Sequence, residues 1–309
     1  MYAGTGRKYY PRSLILAWAP GTMDFETPKD VGIKFGTDPD FFTGFDLEFH
    51  YNNPEGLKNK VDKSVLEIKY TTKLRQYDGG ILSVGDPLVL LGGKSVGTDF
   101  SAWELPCPSS CTERYFSNKE ITVYLSALHM HEIGTRMEAD HIRDGKIVTK
   151  HTSDFFEFRI SGAHTPVHKP FQVKSGDSFS VKCYYDTRNN ENRVFGLASS
   201  DEMCITYYYY YPENPNFHGQ CGIFRFDPNC NAKESYNSIP KEEDIGRSFG
   251  LGTCSAETSS PTPSQTPSPT PSQTPSPTST TSTSGTSHFS LSMLAYSPVF
   301  ILVAYYLLF

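Results

Sequence analysis

Phe179-Ser180-Val181-Lys182-Cys183-Tyr184 alternates apolar and polar side chains one by one, the period of a β-strand with one face turned to a core. The pattern recurs upstream in Phe45-Asp46-Leu47-Glu48-Phe49-His50-Tyr51, Val65-Leu66-Glu67-Ile68-Lys69-Tyr70, Ile121-Thr122-Val123-Tyr124-Leu125 and Phe155-Phe156-Glu157-Phe158-Arg159-Ile160. Downstream, residues 203–211 read as a long aromatic strand closed by Pro212. Turn signals such as Asn52-Asn53-Pro54-Glu55-Gly56 separate the runs. No stretch before the C-terminal tail sustains a 3.6-residue apolar period. Many short strands at this spacing predict an all-β chain of sandwich or jelly-roll architecture. The five tyrosines from Tyr207 to Tyr211 are expected to alternate between core and surface.

At 309 residues the chain has room for one to two domains, and 14% aromatic residues favour strands. A net charge of -6 without any Lys/Arg cluster argues against a nucleic-acid partner, so the tyrosine run is no base-stacking platform. The seven cysteines (Cys107, Cys111, Cys183, Cys204, Cys221, Cys230 and Cys254) are scattered rather than set in C-x-x-C pairs. Cys107-x-x-x-Cys111 has no downstream Cys/His pair, which disfavours a zinc knuckle and favours disulfides in an oxidising compartment. An odd count leaves one thiol without a partner in the chain.

From 256 to 287 the composition collapses to Ser, Thr and Pro, and Pro-Thr-Pro-Ser-Gln-Thr-Pro-Ser occurs at Pro261 and again at Pro269. With little to bury, this segment is expected to be an extended, disordered stalk, O-glycosylated or bare. Residues 288–309 form a hydrophobic tail without a charge. Small residues at Ser282, Thr283, Ser284, Gly285 and Thr286, a polar spacer and this tail match a GPI-attachment signal, with a membrane-spanning helix as the alternative. Either reading puts the folded part at the cell surface. Arg7-Lys8 and the short apolar run from Ser13 to Ala19 resemble a signal peptide only superficially. The expectation is that the natural domain begins upstream of Met1 and that the signal peptide is missing from this sequence.

His129-Met130-His131 carries the chemistry. Two imidazoles at i and i+2 on a strand share a face. Met203, in Asp201-Glu202-Met203-Cys204, would add a thioether from a second strand. Two imidazoles and a thioether suit copper cycling through Cu(I), and suit Zn²⁺, Mg²⁺ or Ca²⁺ much less. Packing alone is the competing explanation for each motif taken singly. His141, His151, His164, His168 and His218 are expected at turns or strand edges in solvated or structural roles, and Glu132 as a surface charge.

Six stretches in order complete the pattern: 16–21 (LAWAPG), 48–54 (EFHYNNP), 70–80 (YTTKLRQYDGG), 128–134 (LHMHEIG), 173–183 and 201–212. Through them the chain, from about Leu14 to Cys254, resembles the copper type II, ascorbate-dependent monooxygenases. The resemblance implies two jelly-roll-like sandwich domains, here 1–106 (truncated) and 107–255, each holding one copper. It implies an oxygen-binding copper on His129, His131 and Met203, and an electron-transfer copper on three histidines. Of those three only His50 has a counterpart in this chain, because no His precedes it.

The implied activity is hydroxylation of an aliphatic C–H of a small, phenylethylamine-like substrate with O₂ and ascorbate. The alternative is a non-catalytic, copper-binding cell-surface ectodomain. The resemblance also implies the disulfides Cys107–Cys221, Cys111–Cys230 and Cys183–Cys204, the last bracing the strand that presents Met203, and leaves Cys254 unpaired. The peptide-amidating members carry an Arg two residues before the HxH pair and an Asn two residues after the Met. Here those positions are Ala127 and Ile205, which speaks against a glycine-extended peptide substrate.

Overall fold

The computed structural model describes residues 14–18, 24–36, 46–51, 55–63, 65–117, 119–158, 165–188, 192–239 and 300–305. In chain order the strands are β1 (Leu14–Trp18), β2 (Val31–Gly32), β3 (Asp46–Tyr51), β4 (Tyr77–Asp78), β5 (Gly80–Gly85) and β6 (Phe100–Cys107). One helix, α1 (Ser109–Phe116), precedes β7 (Ile121–His129), β8 (Gly134–Arg143), β9 (Lys146–Ser153) and β10 (Thr165–Val173). Then come β11 (Ser178–Asp186), β12 (Ile205–Tyr211), β13 (Gln220–Gly222), β14 (Ser235–Ile239) and β15 (Phe300–Tyr305). The fold is all-β, as the period-2 alternation predicts.

Two five-stranded sheets, ordered β10-β7-β12-β5-β13 and β14-β6-β11-β8-β9, form the sandwich. Leu82, Val84, Val123 and Tyr208 of the first sheet share one apolar core with Trp103, Leu105, Met137, Val181 and Tyr185 of the second. The alternation of β11 is visible here: Phe179, Val181 and Cys183 are buried, while Lys182 and Tyr184 are only half so. The β8–β9 hairpin turns on Asp144-Gly145, both at positive φ, with Arg143 paired to Lys146. That is a two-residue turn whose twist matches the strands, and Asp-Gly is a sequence that tolerates it.

Four expectations need correcting. The alternating runs at 65–70 and 155–158 form no strand, and Val65 and Phe155 stay exposed because no sheet faces them. The sandwich does not begin at Cys107, because β5 and β6 (residues 80–107) sit inside its two sheets. Short turns around them hide a boundary that only long-range pairing defines. The helix α1 has no long amphipathic period to announce it. It is pinned instead by buried Cys111 and Phe116 and by the Thr112 hydroxyl, which donates to the Asp177 carbonyl at 2.6 Å.

The tyrosines do not alternate between core and solvent either. Tyr208 and Tyr210 enter the inter-sheet core, and Tyr209 is buried on the opposite face. There it packs with Leu16, Trp18, Phe25 and Val31 from the N-terminal part of the chain. Burying aliphatic and aromatic side chains of this size is worth roughly 1.5–3 kcal/mol each, which holds the N-terminal segment against the sheet.

The N-terminal part also contributes β1 and β3, which flank β15 in an antiparallel sheet, and the parallel pair β2–β4. Thus 300–305 of the hydrophobic tail is a strand, and no described helix is long and apolar enough to cross a membrane. Cys254 and the 256–287 stalk lie outside the described residues.

Candidate metal centre

Strand β12 lies between β7 and β5, and Ile205 faces His129 on one side and Gly85 on the other. The antiparallel register therefore carries residues 201–204 past the end of β7, where residues 130–133 turn away. Met130, between the two histidines in sequence, is fully buried in the inter-sheet core. His129 ends β7, and the strand does not continue through His131, which sits in the turn and is 1% exposed. The two imidazole rings are 5.0 Å apart and nearly perpendicular at 86°. Tyr207 lies 6.3 Å from the His129 ring, and Phe158 lies 5.5 Å from that of His131.

Hydrogen bonds fix which nitrogen of His131 serves. Its Nδ1 lies 3.0 Å from the Asp201 carbonyl oxygen, which can only accept. Nδ1 therefore carries the proton and Nε2 the lone pair, the arrangement of a metal-ligating histidine oriented by a backbone carbonyl. The Met203 main chain is held at the same time, because the buried Tyr185 hydroxyl donates to its carbonyl at 2.6 Å. The Cys183–Cys204 disulfide ties the next residue to β11. Gly85 completes the seat: it has φ +125°, and a Cβ there would come 2.2 Å from the Cys204 carbonyl oxygen.

Glu202, which the motif reading passed over, lies at the centre of these contacts. It is 0% exposed, and its Oε2 accepts the His131 N–H at 2.9 Å while Oε1 accepts the Ile133 N–H at 2.8 Å. Burial pushes its carboxyl up to about 8, against the backbone N–H groups of Ile133, His131 and Met203 that favour the ionised form. Its only sequence signal was its place beside Met203.

Two histidines expected at turns or edges are instead interior. His141 is 2% exposed, stacked between Phe171 and Phe179 at 5.1 Å each, with Nε2 2.7 Å from Asp177. His218 is buried against Asp227. Their burial lowers both imidazoles below the usual histidine range despite the carboxylates. His151 on β9 is half-buried and lowered for the same reason. His50 lies on β3, and His168 on β10; their side chains and all of His164 fall outside the described residues.

The remaining groupings of potential ligands among the described residues contain cysteines whose sulfurs are already bonded. The bonds are Cys107–Cys221, Cys111–Cys230 and Cys183–Cys204. The donor set at 129, 131 and 203 fits copper: two neutral imidazoles beside a residue bearing a soft thioether. Two rings sharing one ion through bonds of about 2 Å come to roughly the separation seen between His129 and His131.

The fold is a disulfide-braced β-sandwich with an imidazole pair and the loop bearing Met203 at one end of its sheet. Residues 77–231, half of the chain, match the family described as the copper type II ascorbate-dependent monooxygenase, C-terminal domain, and the chain belongs to that family. It is 32% identical over 213 residues to the dopamine beta-hydroxylase of Canis lupus familiaris, covering 65% of this chain and 32% of that protein. It is 33% identical over 203 residues to the tyramine beta-hydroxylase of Caenorhabditis briggsae, covering 64% and 34%. To the DBH-like monooxygenase protein 2 of Mus musculus it is 32% identical over 206 residues, covering 64% and 32%. The chain thus spans about a third of the length of these curated relatives.

Proposed function

We propose that this chain carries the oxygen-binding copper site of an ascorbate-dependent monooxygenase, with His129, His131 and Met203 as the ligands. The observation that carries the reading is the approach of the two imidazoles at 5.0 Å and 86° beside the clamped loop that bears Met203. Copper held there supplies the one-electron chemistry with O₂ that hydroxylation of an aliphatic C–H requires. The chain's own part is to present Nε2 of His131 through the Asp201 carbonyl, to fix the Met203 backbone, and to shield the pair with Phe158 and Tyr207.

The substrate is proposed to be a small amine of the phenylethylamine kind, following the hydroxylases that the chain resembles. Ala127 and Ile205, both buried, offer no charged or amide group to hold a peptide carboxylate. His50 is proposed as one ligand of a second, electron-transfer copper. Residues 77–239 are proposed as the oxygen-site domain. Three disulfides support an oxidising, extracellular setting.

Copper stoichiometry and ascorbate-dependent O₂ uptake, measured together, test the reading. Met203→Ile should abolish product formation while near-UV circular dichroism stays native, since a half-buried side chain is replaced by one of similar size. Undiminished turnover in that variant would refute the thioether assignment. Copper bound at His129 and His131 without any O₂ uptake by the wild-type chain would replace catalysis with a copper-binding ectodomain.

A further inference from the structure

We infer that Glu202 is the positioning residue that makes His131 and Met203 one site: its carboxyl group staples the turn carrying the imidazole to the loop carrying the thioether. The inference rests on the copper-site reading above and goes one step further, to what keeps ligands from two strands in register.

The strand ladder alone does not align the two ligand segments. Strand β7 ends at His129 and β12 begins at Ile205, so the regular ladder stops short of both His131 and Met203. Beyond it, Glu202 spans the gap with Oε2 on the His131 N–H and Oε1 on the Ile133 N–H. Its own main chain is fixed to a third segment, with its N–H donating to the Val194 carbonyl at 2.9 Å and its carbonyl accepting from Gly196 at 3.0 Å. The side chain therefore transmits the position of this hydrogen-bonded loop to the histidine turn, and the adjacent Met203 moves with that loop. Asp201 adds the tautomer-setting bond to His131 from the residue just before.

A wholly buried carboxyl group is costly to keep, and an apolar side chain would fill the same space without that penalty. What an apolar residue cannot do is accept two N–H groups two residues apart with two oxygens of fixed separation. That bidentate geometry is the property the site uses, and Tyr185 adds to it by donating to the Met203 carbonyl.

Glu202→Gln tests this in the full-length protein. The amide keeps the shape and replaces one acceptor oxygen with an NH₂ that must face a backbone N–H. Cu(I) affinity, read by competition with a chromophoric chelator, should fall roughly 10- to 100-fold, the usual effect of losing a partner that orients a metal ligand. X-ray absorption of the Cu(I) form should lose the sulfur scatterer expected of the wild type. A purely structural role would lower the melting temperature and leave the folded protein's affinity and sulfur signal intact, which would overturn the inference.

If Glu202→Gln does not fold, Glu202→Asp carries the test, because the shorter carboxyl group cannot reach both the His131 and the Ile133 N–H groups. Loss of the sulfur signal supports the staple and its retention refutes it. His129→Ala separates the two readings. Unchanged copper binding in that variant sinks the copper site itself. Lost binding there with full affinity in Glu202→Gln sinks only the staple.

Discussion

Removing the Cys183–Cys204 bridge by a double substitution to alanine should destabilise the sandwich by about 3 kcal/mol, worked from the loop that the bond closes. The two cysteines are 21 residues apart in sequence, both fully buried, and they join β11 of one sheet to the entry of β12 in the other. Closing a loop of that length removes entropy from the unfolded chain worth about 3 kcal/mol at room temperature. The other two bridges close loops of 114 and 119 residues. The logarithmic dependence makes each worth only about 1.5 kcal/mol more, so all three matter on the scale of a domain's net stability.

Urea unfolding of the metal-free protein, followed by fluorescence, measures the difference directly. The bridge adjoins Met203, so Cu(I) affinity should drop in the same variant even at temperatures where it is folded. A loss below 1 kcal/mol would refute the reasoning. It would mean that the hydrogen bonds from Glu202 and Tyr185 hold the loop and that the unfolded chain is already constrained there.

Two further outcomes follow from the geometry. Gly85→Ala should cost roughly 3 kcal/mol, because φ +125° strains any side chain and the new Cβ meets a backbone oxygen, the Cys204 carbonyl, that cannot swing away. A melting temperature within 1 °C of wild type would contradict the close approach. His141→Leu should flatten the loss of stability on acidification. Burial holds the folded imidazole below its ordinary 6.5, so as pH falls through about 6.5 the unfolded chain takes up a proton that the folded chain refuses, and stability present above that pH is lost. Asp177 stays paired in the variant through Arg143 at 2.7–2.8 Å. Parallel wild-type and variant curves of melting temperature between pH 7 and pH 5 would show that His141 does not contribute to that slope.

Much of the candidate site was legible in single motifs. The spacing of His129 and His131 marked the pair, and the structure brings their rings to 5.0 Å, although the strand ends at His129 and strand alternation does not set the position of His131. Met203 stood out as a thioether beside a cysteine. Glu202 did not, because a carboxylate in a polar tetrapeptide looks like any solvated loop residue. Only the fold shows that two N–H groups about seventy residues upstream donate to its oxygens. His141 was misread for the same reason: its neighbours Phe171 and Phe179 reach it from strands not adjacent in sequence.

By itself the sequence determined the all-β class, since a period of two follows from the alternation of side chains along an extended backbone, although the runs at 65–70 and 155–158 alternate without pairing into a strand. It determined the donor types as well, because imidazole and thioether chemistry belongs to the residues. Tertiary structure decided what the strands do together. It placed β5 and β6 within the sandwich rather than before it, and buried β12 on both faces so that Tyr209 meets Trp18 and Phe25 instead of water. It also set the Glu202 carboxyl group between the two ligand segments. The physical reason is that pairing and burial are sums over contacts distant in sequence. A local pattern fixes which way a side chain points but not what it will meet there.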